Sequence, residues 1–342
     1  MPVLSGVRLE VVGDALRVTG TDLDLTISVE ATVAGGGDGV VVAPGRLVTD
    51  IVRALEPGAV TVEVDDEDLR IASGRSNFTV RTHPAGDFPR LPVPTGETVT
   101  LAAEGLAEAL RQVVRAASSE DSRPILTGVL IAAEGDGLRL VSTDSYRLAV
   151  RDLRGVGVLG VGEKVLVPSR ALAELQRLLG TTAGSGAEVS VCLGVHDVTF
   201  STGSVSLTTR LIEGDFPNYR QLIPESYPNT LTVAREAFLD AVRRVKLLAR
   251  DPTTPVRIAL RSEGIELTVI TTDWGQATED VDAKYEGAEM TVAFNPAYLI
   301  DGIEALSSDE VVLSTLDALK PATLKPIGSD DYLYLLMPVR VS

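Results

Sequence analysis

The residues in this chain best suited to chemistry are few. Histidine occurs twice, at His83 and His196, and cysteine once, at Cys192. His83 stands in a turn before Pro84, and His196 lies in a Gly-flanked hairpin. Neither has a Cys, Asp or Glu partner at metal-ligand spacing. Cys192 alternates with the apolar set of "VSVCLGV" and reads as a small strand residue. No nucleophile motif, phosphate-binding loop or GxGxxG occurs. Three Thr-Asp pairs, Thr21-Asp22, Thr143-Asp144 and Thr272-Asp273, offer carboxylates. Each follows a strand, where Asp organises a turn through its own side chain. No catalytic constellation, cofactor or metal is expected.

The remaining candidates are arginines on helices. Arg46 and Arg53 lie 2 and 9 residues after Pro44, and Arg170 and Arg177 lie 2 and 9 after Pro168. A separation of seven puts each pair on one helical face. Arg111 and Arg115 are four apart. Arg243, Lys246 and Arg250 form a stripe opposite the apolar face of their helix. The chain is acidic overall, with net charge −17, but its acids gather in turns such as "EVDDED" at 63–68. Basic helices in an acidic protein can hold a polyanion on one surface and repel it elsewhere.

These helices belong to a repeat. "PVLSGVRLEVVGDALRVTGTDLDLTI" (2–27), "PILTGVLIAAEGDGLRLVSTDSYRLAV" (124–150) and "PVRIALRSEGIELTVITTDWGQATEDV" (255–281) each read as a Pro-led strand, a Gly-containing turn, a second strand and Thr-Asp. "APGRLVTDIVRAL", "VPSRALAELQRLL" and "FNPAYLIDGIEAL" each place Pro in the first turn of a helix. Gly-Asp-Phe-Pro at Gly86 and Gly214 closes the first two copies. A strand and helix open the second and third copies only, at 98–117 and 230–249. Apolar residues recur there at helical spacing: Leu106, Leu110, Val113, Val114 and Ala117, then Phe238, Ala241, Val242, Val245 and Leu248. The expected domains are 1–95, 96–226 and 227–342. One cysteine among 342 residues fits a reducing compartment. No signal peptide or apolar run long enough to span a membrane is present, so a cytoplasmic location is expected.

On "SRPILTGVL", "STDSYRLAVRDL", "GDFPNYRQLIP", "FNPAYLIDGIEAL" and "YLYLLMPVRV" the chain resembles the bacterial DNA sliding clamp family, the β processivity subunit of the replicative polymerase. The resemblance implies an α+β DNA clamp fold of three repeated domains, with outer antiparallel sheets and inner helices. It implies a non-enzymatic homodimeric ring that encircles duplex DNA without reading its sequence and tethers the polymerase and clamp loader through short linear peptides. The DNA-facing residues would be Arg46, Arg53, Arg111, Arg115, Arg123, Arg170, Arg177, Arg243, Lys246 and Arg250. The partner-peptide pocket would include Leu126, Thr143, Tyr146, Arg147, Leu148, Pro217, Leu222, Leu319, Leu336, Met337, Pro338, Val339 and Arg340. Phe78, Leu247 and Leu248 would stand at the dimer interface.

The first copy lacks the opening strand and helix of the other two, and Met1 falls where the family carries an apolar residue. That makes ring closure the expectation most exposed to correction. It also raises a second reading: a paralogue that binds partner peptides without being the main replicative clamp. A β-rich hydrolase or sugar-binding scaffold would need a polar cluster that this inventory of His and Cys does not supply.

Overall fold

The computed structural model describes residues 2–65, 67–91, 94–155, 159–160, 162–182 and 186–340; Met1 lies outside them. The first repeat contains β1 (Gly6–Val12), β2 (Ala15–Thr21), β3 (Leu25–Thr32), β4 (Gly39–Pro44), helix α1 (Gly45–Ala54), β5 (Thr61–Asp65), β6 (Asp68–Ser73) and β7 (Ser76–Arg81). The second opens with β8 (Thr98–Ala102) and α2 (Ala103–Val113). It continues with β9 (Gly128–Glu134), β10 (Gly137–Thr143), β11 (Arg147–Leu153), β12 (Lys164–Pro168), α3 (Ser169–Thr182), β13 (Glu188–Leu193), β14 (Asp197–Thr202) and β15 (Val205–Arg210). The third has β16 (Asn229–Ala234), α4 (Arg235–Lys246), β17 (Val256–Arg261), β18 (Gly264–Thr271), β19 (Gly275–Val281), β20 (Ala283–Glu286), β21 (Met290–Phe294), α5 (Pro296–Ala305), β22 (Glu310–Thr315), β23 (Ala322–Pro326) and β24 (Tyr332–Leu336).

All sheets are antiparallel, and two of them run across repeat boundaries. One has the order β4-β1-β2-β3-β15-β14-β13-β8, so β3 of the first repeat pairs with β15 of the second. Another runs β12-β9-β10-β11-β24-β23-β22-β16-β20, so β11 of the second repeat pairs with β24 of the third. The remaining sheets are β19-β18-β17-β21 and β5-β6-β7. This pairing ties the end of each repeat to its predecessor. The chain accordingly forms two compact units, Met1–Glu104 with Arg177–Leu211 and Gly105–Gln176 with Ile212–Ser342, whose limits do not follow the repeat limits.

The expected apolar stripes form the core. Leu106, Leu110 and Val113 are buried on α2, as are Phe238, Val242 and Val245 on α4. Two local expectations change. Pro44 is the N-cap of α1 and Pro168 ends β12, so both precede their helices; only Pro296 lies in a first turn, behind an Asn295 side chain that accepts from Ala297 N and Tyr298 N. In the first two copies the leading Pro opens a 3-10 turn, Pro2–Ser5 and Pro124–Thr127, ahead of the strand.

The repeated Gly-Asp-Phe-Pro has a packing role beyond closing a repeat. Phe88 is buried with Val3 and Val42, against Leu4 and Leu91. Phe216 packs in the corresponding place with Ile125, Leu166 and Tyr219. Each phenyl ring fastens the linker onto the Pro-led turn of its own repeat.

The Thr-Asp turns are hydrogen-bonded devices. Thr21 Oγ1 donates to Leu25 O at 3.1 Å, while Asp22 Oδ1 accepts from Asp24 N and Leu25 N. Thr143 Oγ1 donates to Arg147 O at 2.6 Å, and Asp144 Oδ1 accepts from Tyr146 N and Arg147 N. These bonds hold Leu23 and Ser145 at φ of 83° and 81°, a region non-Gly residues rarely occupy. In the third copy the role falls to Thr271, whose Oγ1 donates to Gly275 O and accepts from Trp274 N. The equivalence of Thr272-Asp273 is therefore corrected by one residue. The hairpin there is shorter, pairing Thr271 with Gly275 where the first copy pairs Thr21 with Thr26.

Phe88→Ala is expected to destabilise its unit by about 3–5 kcal/mol, the range for emptying a buried aromatic site. Denaturant unfolding followed by hydrogen exchange in β1 and β4 checks this; a loss under about 1 kcal/mol would contradict the packing role.

Candidate nucleic-acid and peptide interface

The C-terminal end of α5 gathers Arg111 of α2, Arg243 of α4 and Arg115 just beyond α2. A helix end leaves carbonyls without intrahelical donors. Here Arg111 supplies them: Nη1 donates to Glu304 O at 2.7 Å and Nη2 to Ala305 O at 2.9 Å. Its other contacts are a two-pronged pair with Glu108, at 2.7 and 2.6 Å. Burial opposes its charge, but Glu108 outweighs that and raises its pKa. Arg111 is thus a clasp between α2 and α5, with its side chain about a third exposed.

Glu304 lies between two further candidates. One carboxylate oxygen accepts from Arg115 Nη1 at 2.5 Å and the other from Arg243 Nη2 at 2.8 Å. Burial pushes the Glu304 carboxyl up, yet the two arginines hold it below the usual range. Arg115 and Arg243 stay half exposed, so each retains an outward face. Arg123 pairs with Glu120 and donates to Ser145 Oγ. Arg250 lies over the Trp274 ring at 4.5 Å. Arg46, Arg53, Arg170 and Arg177 are exposed on α1 and α3, and Lys246 is half-buried at the end of α4.

A second cluster sits where β11 meets β24. Arg147 pairs with Leu336 in the ladder, and its side chain is buried between Asp144, at 3.0 Å, and Asp301. Its guanidinium lies 4.4 Å from the Tyr298 ring centre, and Tyr146 stacks on the same ring at 6.4 Å. Tyr334 Oη donates to Tyr298 O at 3.0 Å. Burial alone would lower the pKa of Arg147; Tyr334, Asp301 and Asp144 more than offset it. Burial likewise pushes the Tyr334 and Tyr298 phenols up. The cluster fixes Tyr146 in place, 59% exposed.

The peptide-pocket candidates therefore divide. Leu126, Thr143, Leu148 and Leu336 are buried, Leu148 in a core with Val141, Val150 and Leu335. The Thr143 hydroxyl is spent on its turn, and Arg147 on its carboxylates. Tyr146, Pro217, Leu222, Leu319, Met337 and Arg340 are exposed, and Pro338 and Val339 half-buried. After β24 the chain is held by Met337 N donating to Tyr146 O at 2.9 Å and Val339 N donating to Ala293 O at 2.8 Å. Sequence reasoning missed Tyr298, Asp301, Glu304 and Tyr334. A three-residue spacing from Tyr298 to Asp301 to Glu304 was the available signal of one polar stripe on α5.

Of the interface candidates, Leu247 is 76% exposed, Leu248 half-buried, and Phe78 partly buried against the core of Leu69 and Ile71. Among the described residues no group of three His, Cys, Asp or Glu could hold a metal, and no helix is long and apolar enough to cross a membrane.

Comparison with known proteins is uniform. Residues 1–92, 100–218 and 220–340 match the N-terminal, central and C-terminal domains of the DNA polymerase III beta subunit. The beta sliding clamp of Streptomyces coelicolor is 36% identical over 357 aligned residues, spanning all of this chain and 93% of the relative. That of Synechocystis is 34% identical, spanning 99% and 93%. A crystal structure of the sliding clamp of Pseudomonas aeruginosa with ligand superposes with a TM-score of 0.93 at 29% identity, covering 100% and 93% of the two chains. The Bartonella birtlesii DnaN sliding clamp bound to griselimycin gives 0.92 at 34%, covering 100% and 92%.

Glu304→Gln should release Arg115 and Arg243 and cost under about 1 kcal/mol at neutral pH, since the pairs are partly solvated. Because the folded carboxyl is held low, its contribution is full above the unfolded value and lost as pH falls through the folded one. Thermal melts should show wild type and variant separated at pH 7 and converging as the pH drops below 4.5. A gap that persists or widens in acid would contradict this pairing.

Proposed function

We propose, from the premise that the chain belongs to the DNA polymerase III beta-subunit family, that two copies close head to tail around duplex DNA. As a member of that family it is a DNA polymerase sliding clamp, a processivity factor and not an enzyme. The paralogue reading is not favoured, since the relatives named beta sliding clamp match along nearly their full length.

One observation carries the proposal: the repeated strand joint. β3 joins β15, and β11 joins β24. By repeat, β19 is the counterpart of β3 and β11, and β7 the counterpart of β15. The hairpins before β7 and β15 match closely, Ser73-Gly74 against Thr202-Gly203, with glycine φ of 57° and 55°. Yet β19 and β7 each stand at the free edge of their sheets. A free edge offers a row of unpaired N–H and C=O groups. Pairing β19 of one copy with β7 of another repeats the joint already made twice within the chain. Leu247, Ile270 and Trp274, all more than half exposed, lie on the elements around β19 and supply apolar area for such a contact. Phe78 sits mid-strand in β7.

DNA contact in this reading is to phosphates, through Arg46, Arg53, Arg115, Arg123, Arg170, Arg177, Arg243, Lys246 and Arg250. None is arranged to read base edges, so binding is independent of sequence and weakens with salt. Partner peptides dock by apolar anchors at Tyr146, Leu222, Leu319 and Met337, with Pro217, Pro338, Val339 and Arg340 around them. Aromatic and Met side chains suit such a surface. The replicative polymerase and clamp loader are the partners proposed, in the cytoplasm.

Loaded onto a circular duplex, the protein is expected to remain bound through a salt wash and to leave within seconds once the circle is cut. Equal retention on circular and linear DNA would overturn encirclement. Tyr146→Ala with Met337→Ala should weaken a polymerase-tail peptide at least about tenfold while leaving the melting temperature unchanged; unchanged affinity would remove the docking assignment.

A further inference from the structure

The arginines directed at phosphate differ in what already holds them. On α1, Arg46 and Arg53 are exposed, and among the described residues neither enters an ion pair. Asp50 is the only acid on that helix, so α1 carries a net positive charge.

Around α5 the arrangement is different. Arg115 donates to one oxygen of Glu304 at 2.5 Å and lies 3.7 Å from Asp301. Arg243 donates to the other oxygen of Glu304 at 2.8 Å and lies 3.5 Å from Asp240. Arg147 takes the second oxygen of Asp301 and pairs with Asp144. Three guanidinium groups are thus set against four carboxylates, those of Asp144, Asp240, Asp301 and Glu304. Glu304 is the pivot, because each of its oxygens holds one phosphate-directed arginine. Its side chain is 28% exposed against 49% for each arginine, so it is the more buried partner of both. Burial pushes its carboxyl up, but Arg115 and Arg243 hold it below the ordinary range, and it stays charged at neutral pH.

A guanidinium whose charge is already met offers a phosphate less. The incoming phosphate must share or displace the carboxylate, and it meets that carboxylate's own charge at close range. Salt dependence follows the same logic: an arginine releases counterions from DNA only as far as its charge is free to neutralise a phosphate. We propose that Glu304 is a grip-limiting residue, which holds Arg115 and Arg243 from within the protein, weakens their contact with DNA phosphates and leaves the firmer contacts to Arg46 and Arg53 of α1. The inference rests on the phosphate-contact reading above. Weak, exchangeable contacts suit a tether that is retained by encirclement and must move along the duplex.

The test is fluorescence anisotropy of a labelled linear duplex titrated with the full chain over a salt series. Glu304→Gln should tighten binding about tenfold at about 50 mM salt and steepen the slope of log affinity against log salt by about one to two, at about 0.9 for each phosphate contact regained. Arg115→Ala with Arg243→Ala should cost the wild type less affinity than Arg46→Ala with Arg53→Ala, yet should abolish the gain made by Glu304→Gln. If neither wild type nor Glu304→Gln binds the duplex, the phosphate-contact reading fails and the inference with it. The grip-limiting inference alone is overturned, with phosphate contact left standing, by either of two results. In one, wild type binds and Glu304→Gln, folded by circular dichroism, gains nothing. In the other, it gains as much without the two arginines as with them.

Discussion

The constraint on which this molecule depends is that a β-sheet edge must be paired, covered or blunted. Each repeat ends one sheet in an edge and begins another with one. The chain resolves the problem twice by stitching, β3 to β15 and β11 to β24. The backbone joins therefore carry register and leave the side chains free to differ. One joint is lined with Leu and Val, the other with Ser and Thr, although the ladder beneath is the same. What remains at the ends of the repeat series is one strand of each kind, β19 and β7.

A further free edge has a different origin. β13 is flanked by β8, and β22 by β16, the strands that open the second and third repeats. Among the described residues β5 has no such neighbour, and Val62 and Val64 on it are half exposed. The core of the first repeat rests on Val41, Ala43, Ile51, Leu69, Ile71 and Val80. Electrostatics are organised just as locally. The carboxylates of α5 pair with Arg147, Arg115 and Arg243, which locks the α2, α4 and α5 region while Arg115 and Arg243 stay half exposed.

Much of this was legible in the sequence because it is periodic. The repeat, the buried stripes of α2 and α4 and the turn function of Thr21-Asp22 and Thr143-Asp144 follow from spacing alone. Spacing was silent where the deciding partner is distant or the count shifts. The bonds of Arg111 to the carbonyls of Glu304 and Ala305, 193 and 194 residues away, could not be read from spacing. Thr271 was displaced by a hairpin one residue shorter than its counterparts. Leu148 and Leu336 match family positions of a pocket, and how deeply each is buried is set by packing that spacing does not encode. The polar stripe of α5 was present as a three-residue interval but had no visible partner until Arg147 and Arg115 were brought to it.

The most direct test of the edge account is amide hydrogen exchange in β7 and β19 as a function of protein concentration. The account predicts that amides facing away from β6 and β18 are protected at micromolar concentration, to the degree seen in β3 and β15, and lose that protection together on dilution. Exchange at unprotected rates in both strands at every concentration would contradict it.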